Sequence, residues 1–163
     1  MQTPPKQNLI DTIRLNNIII YRQLRDLTHE ETLLQPPFQA NCMNWVLGHL
    51  LTGRDGILSM LQLPKVLSAQ ELATYDRGSA ALSAESNLAS PFDSLKARLD
   101  QSLEQIIAAL ESLTEESLTD NTEFAGKGPL GGEIDFLLWH ETYHIGQLEL
   151  LRQVAGKNDQ VIK

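Results

Sequence analysis

Residues 131–154 read GGEIDFLLWHETYHIGQLELLRQV. Leu137, His140, His144, Leu148 and Leu151 recur there at three- and four-residue steps, which places them on one face of a helix. Two of the five are histidines one turn apart, so both imidazoles can reach a single metal ion. Gly156 suits the helix stop, and residues 157–163 read as a polar tail.

Three earlier segments carry the same periodicity. Residues 6–25 repeat Ile10, Ile13, Asn17, Ile20, Tyr21 and Leu24. Residues 42–61 follow Pro36-Pro37, with Asn41 as a plausible N-cap and a stripe of Val46, His49, Leu50, Gly53, Ile57, Met60 and Leu61. The third begins with Ser90 as expected N-cap, Pro91 as first helical residue and Asp93 in the electropositive first turn. Its stripe runs Phe92, Leu95, Leu99, Leu103, Ile106, Leu110 and Leu113. Thr28-His29-Glu30-Glu31 and Ser68-Ala69-Gln70-Glu71 match the capping box and predict short extra helices in the connections. No strand-length alternation or internal repeat interrupts this pattern. The expectation is a single all-α domain over 1–163, an antiparallel four-helix bundle.

Composition narrows the partners. The chain has 21 acidic and 13 basic residues, a net charge of −8, and no basic stretch to grip phosphates, so nucleic acid is not expected. A single cysteine, Cys42, rules out an intramolecular disulfide and suits a reducing compartment. The N-terminal residues lack the basic and apolar regions of a signal peptide, and no run approaches the ~18 apolar residues of a membrane span. A cytoplasmic protein with no membrane partner is expected.

The chemistry lies in the histidines. His49 sits in the stripe of the second long helix, and His140 and His144 sit in that of the last. Imidazoles facing a core need partners, because a buried polar ring without a hydrogen bond costs a few kcal/mol. Core histidines bonded to carboxylates or carbonyls are one solution; a divalent metal shared by all three is the other. His29, at a predicted helix start, reads as a solvated side chain. Trp45 and Trp139 read as core packing, with pocket-wall duty the alternative. Gly48 and Gly146 read as permitting close helix approach.

His140-Glu141-Thr142-Tyr143-His144 also fits the H-E-x-x-H pattern of zinc metallopeptidases. That reading is remote. Gln147 and Leu150 stand where the longer form of the pattern has Gly and His, and no strand is available to align a peptide. Gly126-Lys127-Gly128-Pro129-Leu130-Gly131 fits a dinucleotide fingerprint literally, but no β-run precedes it.

Asn44-Trp45-Val46-Leu47-Gly48-His49, followed about ninety residues later by His140-Glu141-Thr142-Tyr143-His144-Ile145-Gly146-Gln147, resembles the paired motifs of the DinB-like superfamily. The resemblance extends over essentially the whole chain. It implies an up-down-down-up bundle, a homodimer, and a divalent metal, zinc or nickel, held by His49, His140 and His144. Relatives of that family include metal-dependent thiol transferases such as bacillithiol S-transferases, and the mycothiol-dependent maleylpyruvate isomerase. A metal-dependent enzyme on a small molecule is therefore expected, as thiol S-transferase with a low-molecular-weight thiol cosubstrate or as hydrolase. Glu141 is a candidate base, or a residue that positions the ligands. A non-catalytic metal-binding or stress-response protein is the alternative.

Overall fold

The computed structural model describes residues 3–83, 85, 87–121 and 128–162. The periodic segments become helices, and short capped turns fill the connections. In chain order these are α1 (Lys6–Leu24), α2 (His29–Thr32), α3 (Met43–Met60), α4 (Ala69–Tyr75), α5 (Phe92–Ser112) and α6 (Leu130–Val154), with a 3-10 turn at Ser117–Thr119 before α6. The described residues contain no strand, only an isolated bridge between Asn121 and Pro129. The long helices close into a bundle in which α1 and α3 each pack against both α5 and α6. No described helix is long and apolar enough to cross a membrane.

The helix ends show which local signals prevailed. Both capping boxes form: Thr28 accepts from the Glu31 N–H at 3.2 Å, and Ser68 accepts from the Glu71 N–H at 3.3 Å. At the other end of the chain Gly156 takes a φ of +75°, and the Lys157 N–H reaches back to the Arg152 carbonyl at 3.1 Å. That is the left-handed glycine stop the sequence suggested. Two expected caps are corrected. α3 is preceded by Cys42 rather than Asn41, without a side-chain cap. Pro91, not Ser90, holds the N-cap position of α5. The Ser90 hydroxyl instead donates to Glu71 Oε1 at 2.9 Å, and its N–H donates to the Tyr75 hydroxyl at 2.8 Å. Tertiary partners took the group that a local cap would have used. Of the glycine-rich motif before α6, Gly126 and Lys127 lie outside the described residues, and Pro129 N-caps the helix.

The core consists of two apolar clusters with a polar layer between them. One cluster includes Ile20, Leu50, Leu99 and Ile145; the other includes Ile13, Ile57, Ile106 and Leu138. Between them each long helix contributes one polar side chain: Asn17, Arg54, Ser102 and Glu141. Arg54 is fully buried, and all five of its N–H donors are used. They go to the two Glu141 carboxylate oxygens (2.8 and 3.1 Å), the Leu99 carbonyl (2.8 Å), Ser102 Oγ (3.3 Å) and Asn17 Oδ1 (3.2 Å). A buried ion pair adds little net stability over an apolar one, but an unpaired member costs several kcal/mol. Any slip of one helix along another would separate these groups. The layer therefore sets the register of α3 against α6, the two helices that carry the histidines.

Candidate metal centre

His49 projects from α3, and His140 and His144 project from successive turns of α6. One ring nitrogen from each lies within 4.8 Å of the others. His140 Nε2 and His144 Nε2 are 3.0 Å apart. Tetrahedral zinc with ordinary Zn–N bonds sets its ligand nitrogens roughly 3.3 Å apart, so a small adjustment of side chains accommodates an ion.

The far ring nitrogens of His49 and His144 are engaged. His49 Nδ1 stands 2.9 Å from the Tyr75 carbonyl oxygen, which can only accept, so Nδ1 carries a proton and in the neutral ring the lone pair lies on Nε2. His144 Nδ1 donates in the same way to Gln147 Oε1 at 2.8 Å. A polar partner on the far nitrogen is the usual support of a metal-binding histidine. Burial depresses the pKa of His140, with the neighbouring His144 and His49 adding to the effect, to about 4. Burial also lowers His144, against the opposing effect of its hydrogen bond to Gln147. Both rings are thus neutral ligands at neutral pH. On donor type, spacing and protonation, the three histidines fit a divalent ion.

The motif around His49 acts as a unit. A Cβ on Gly48 would lie 2.2 Å from the Tyr75 ring, so only glycine lets that ring sit against α3. The Tyr75 hydroxyl donates to Asn44 Oδ1 at 3.0 Å, and its carbonyl orients His49. Trp45 stacks on His49 at 4.8 Å between ring centroids and donates its indole N–H to Ser79 Oγ at 2.8 Å. It is both buried and a wall of the site. Below α4, partial burial pushes the Glu71 carboxyl up, but hydrogen bonds from Ser68, Arg98 and Ser90 outweigh it and hold the group at about 2. Glu71 is therefore ionised, and it ties α4 to α5.

Other expected residues are placed differently. Glu141 is 3% exposed, its carboxylate is held by Arg54, and it is absent from the cleft lining. One residue along a helix is a rotation of about 100°, which turns Glu141 to the bundle interior. Its geometry gives no support to a base role; it positions the helix that carries two ligands. Trp139 is 60% exposed, contrary to the packing expected of it, and stacks with Phe136 and Tyr143 along the outer face of α6. A Cβ on Gly146 would meet nothing within 4 Å, so no close helix approach explains that glycine. His29, partly buried at the start of α2, does not join the cluster. Tyr75, Gln147 and Arg54 were missed as functional supports. Arg54 left a signal, because it continues the stripe Leu50, Ile57, Leu61 at helical steps and so demanded a buried carboxylate.

The three histidines open onto a cleft of about 530 Å³, a size suited to a small molecule. Trp45, Val46, Tyr143 and Leu151 line it with apolar surface; Gln39, Asn41 and Arg77 add polar groups. Tyr143 meets the His144 ring edge-on at 5.1 Å.

Fold and site together define a helical-bundle protein with a three-histidine cluster suited to a metal. The DinB superfamily model matches residues 20–148, and the chain belongs to that superfamily. A crystal structure described as the conserved protein of locus from Enterococcus faecalis has a similar fold, with a TM-score of 0.70 at 16% identity, covering 91% of this chain and 95% of that one. A search of curated proteins found no match.

Proposed function

We propose that the chain binds one divalent cation, zinc or nickel, through His49, His140 and His144, and acts as a metal-dependent enzyme on a small molecule. The observation that carries this reading is the convergence of three ring nitrogens at the floor of a cleft, with the far nitrogens of His49 and His144 already occupied. Three neutral imidazoles leave an ion its full charge, which supplies Lewis acidity and lowers the pKa of a protic group placed beside it. The chain's own residues do the rest. Tyr75 and Gln147 hold the ligand rings in one tautomer, the Arg54–Glu141 pair fixes α3 against α6, and the apolar cleft wall limits water. Thiol S-transfer from a low-molecular-weight thiol is the reaction we favour, on the motif resemblance to thiol transferases of the DinB-like superfamily, with metal-assisted hydrolysis next.

Metal analysis of protein purified without a tag tests the site. One equivalent of zinc or nickel is expected in the wild type and none in His140→Ala. Full metal retention in single alanine variants of all three histidines would exclude it. Chelation should abolish turnover of thiol-plus-electrophile pairs or of esters and amides, and added metal should restore it. A loaded protein inactive across that panel would point instead to a non-catalytic metal-binding role.

We also propose a homodimer. Phe136, Trp139, Tyr143 and Leu150 stand 47–60% exposed on one face of α6, an apolar run that solvent alone does not favour.

A further inference from the structure

We infer that the substrate of this centre is an anion, a carboxylate or a group of equivalent shape and charge, held by Arg77 while its reactive end faces the three histidines. The inference rests on the reading of the histidines as an open metal site.

The charge of the cleft is opposite to that of the molecule. The chain carries 21 acidic residues and a net charge of −8, yet among the described residues no Asp or Glu lines the cleft. The one formally charged lining residue among them is Arg77. Imidazoles add no negative charge, so with a divalent ion bound the described lining would hold only positive charge. Low-dielectric walls of Trp45, Val46 and Leu151 concentrate such a field.

Arg77 is also free to bind. Arg14, Arg25, Arg54, Arg98 and Arg152 all pair with carboxylates. Among the described residues the Arg77 guanidinium has no such partner, a state shared by Arg22 on the exposed side of α1. The neighbouring Asp76 accepts from the Arg77 backbone N–H at 2.8 Å rather than from its side chain. A planar guanidinium matches a carboxylate with two parallel hydrogen bonds, a geometry that a lysine does not supply.

The backbone that carries Arg77 is fixed relative to the metal ligands. Gly78 takes a φ of +85°, and the Ser79 N–H donates to the Asp76 carbonyl at 3.1 Å, closing a turn around Arg77. Ser79 Oγ donates to the Thr74 carbonyl at 2.6 Å and accepts from Trp45, the ring stacked on His49. A chain of contacts therefore runs from the arginine turn to the first histidine. Neither Arg77 nor this turn belongs to the histidine motifs, so the anion site is a separate element of specificity.

Cobalt(II)-loaded protein provides the test, because a thiolate on cobalt gives a charge-transfer band that reports binding without turnover. Mercaptoacetate and its homologues with one and two further methylenes would be titrated beside neutral 2-mercaptoethanol. The best mercaptocarboxylate should bind about tenfold more tightly than mercaptoethanol, a difference of about 1.4 kcal/mol. Arg77→Gln should abolish that advantage while leaving mercaptoethanol within about twofold, and Arg77→Lys should retain only part of it. Arg77 is exposed, so these variants should fold as the wild type does. An advantage that is absent, or that survives in Arg77→Gln, would overturn the proposal and leave the metal site standing. If no thiol of either kind produced the band, the open-metal reading would fail and the anion proposal with it.

Discussion

Arg54 on α3 and Glu141 on α6 form a two-point ion pair in the bundle core, with N–O distances of 2.8 and 3.1 Å and both side chains almost fully buried. Glu141 adjoins a candidate metal ligand in sequence, yet its carboxylate belongs to the layer that registers the helices. Glu141→Ala should therefore destabilise the protein by about 3–5 kcal/mol, because it strands a buried guanidinium. Combining Arg54→Met with Glu141→Leu should recover much of that loss. Urea unfolding of the wild type and these two variants measures both effects. A Glu141→Ala protein of wild-type stability that had lost only turnover would restore the base role.

Gly48→Ala places a methyl group inside the Tyr75 ring. Displacing that ring should cost about 1–3 kcal/mol, as overpacking of a core usually does. It should also move the carbonyl that orients His49, weakening metal binding by about 10- to 100-fold. Gly146→Ala is the control, since a Cβ there meets nothing within 4 Å and metal affinity should not change. Competition with a chromophoric chelator reads the affinities. Equal affinity in both variants would mean that the Tyr75 carbonyl does not support the ligand.

His140 should make the metal-free protein acid-sensitive. Burial, then His144 and His49, lower its folded pKa from 6.5 to about 4, so between those values the unfolded chain binds the proton more readily. The corresponding stability is complete above 6.5 and is lost as pH falls toward 4. Urea midpoints of the apoprotein should decline over this window, and the decline should be smaller in His140→Gln. Identical declines in the two proteins would show that His140 does not carry the effect.

The aromatic face of α6 should mediate self-association. Trp139→Asp introduces a charge between Phe136 and Tyr143 without entering the bundle core, since Trp139 is 60% exposed. Light scattering at micromolar concentration should give a dimer for the wild type and a monomer for the variant. A wild-type monomer would remove the dimer, and an unchanged variant would move the interface elsewhere.

The sequence by itself determined the helices and the identity of the three histidines. Ile10, Ile13, Asn17, Ile20 and Leu24 all proved buried on α1, as did Phe92, Leu95, Leu99, Ile106 and Leu110 on α5. A helix repeats every 3.6 residues, so which side chains share a face is a property of the chain alone. The i, i+4 spacing of His140 and His144 was legible for the same reason, and so were the two capping boxes, whose partners lie three residues apart.

What crosses between helices was decided only by the tertiary structure. Asn41 and Ser90 had the chemistry of N-caps but not the position. Glu141 looked available for chemistry until α3 brought Arg54 against it, and Trp139 looked like a core residue until the bundle left its face of α6 uncovered. Tyr75 is 26 residues from His49, and Arg77 reaches the cleft only because α4 and its turn fold back over α3. Hydrogen bonds and electrostatic fields depend on distances and directions in space. Local periodicity settles those within one helix but is silent on them between helices, where long-range packing chooses the partner.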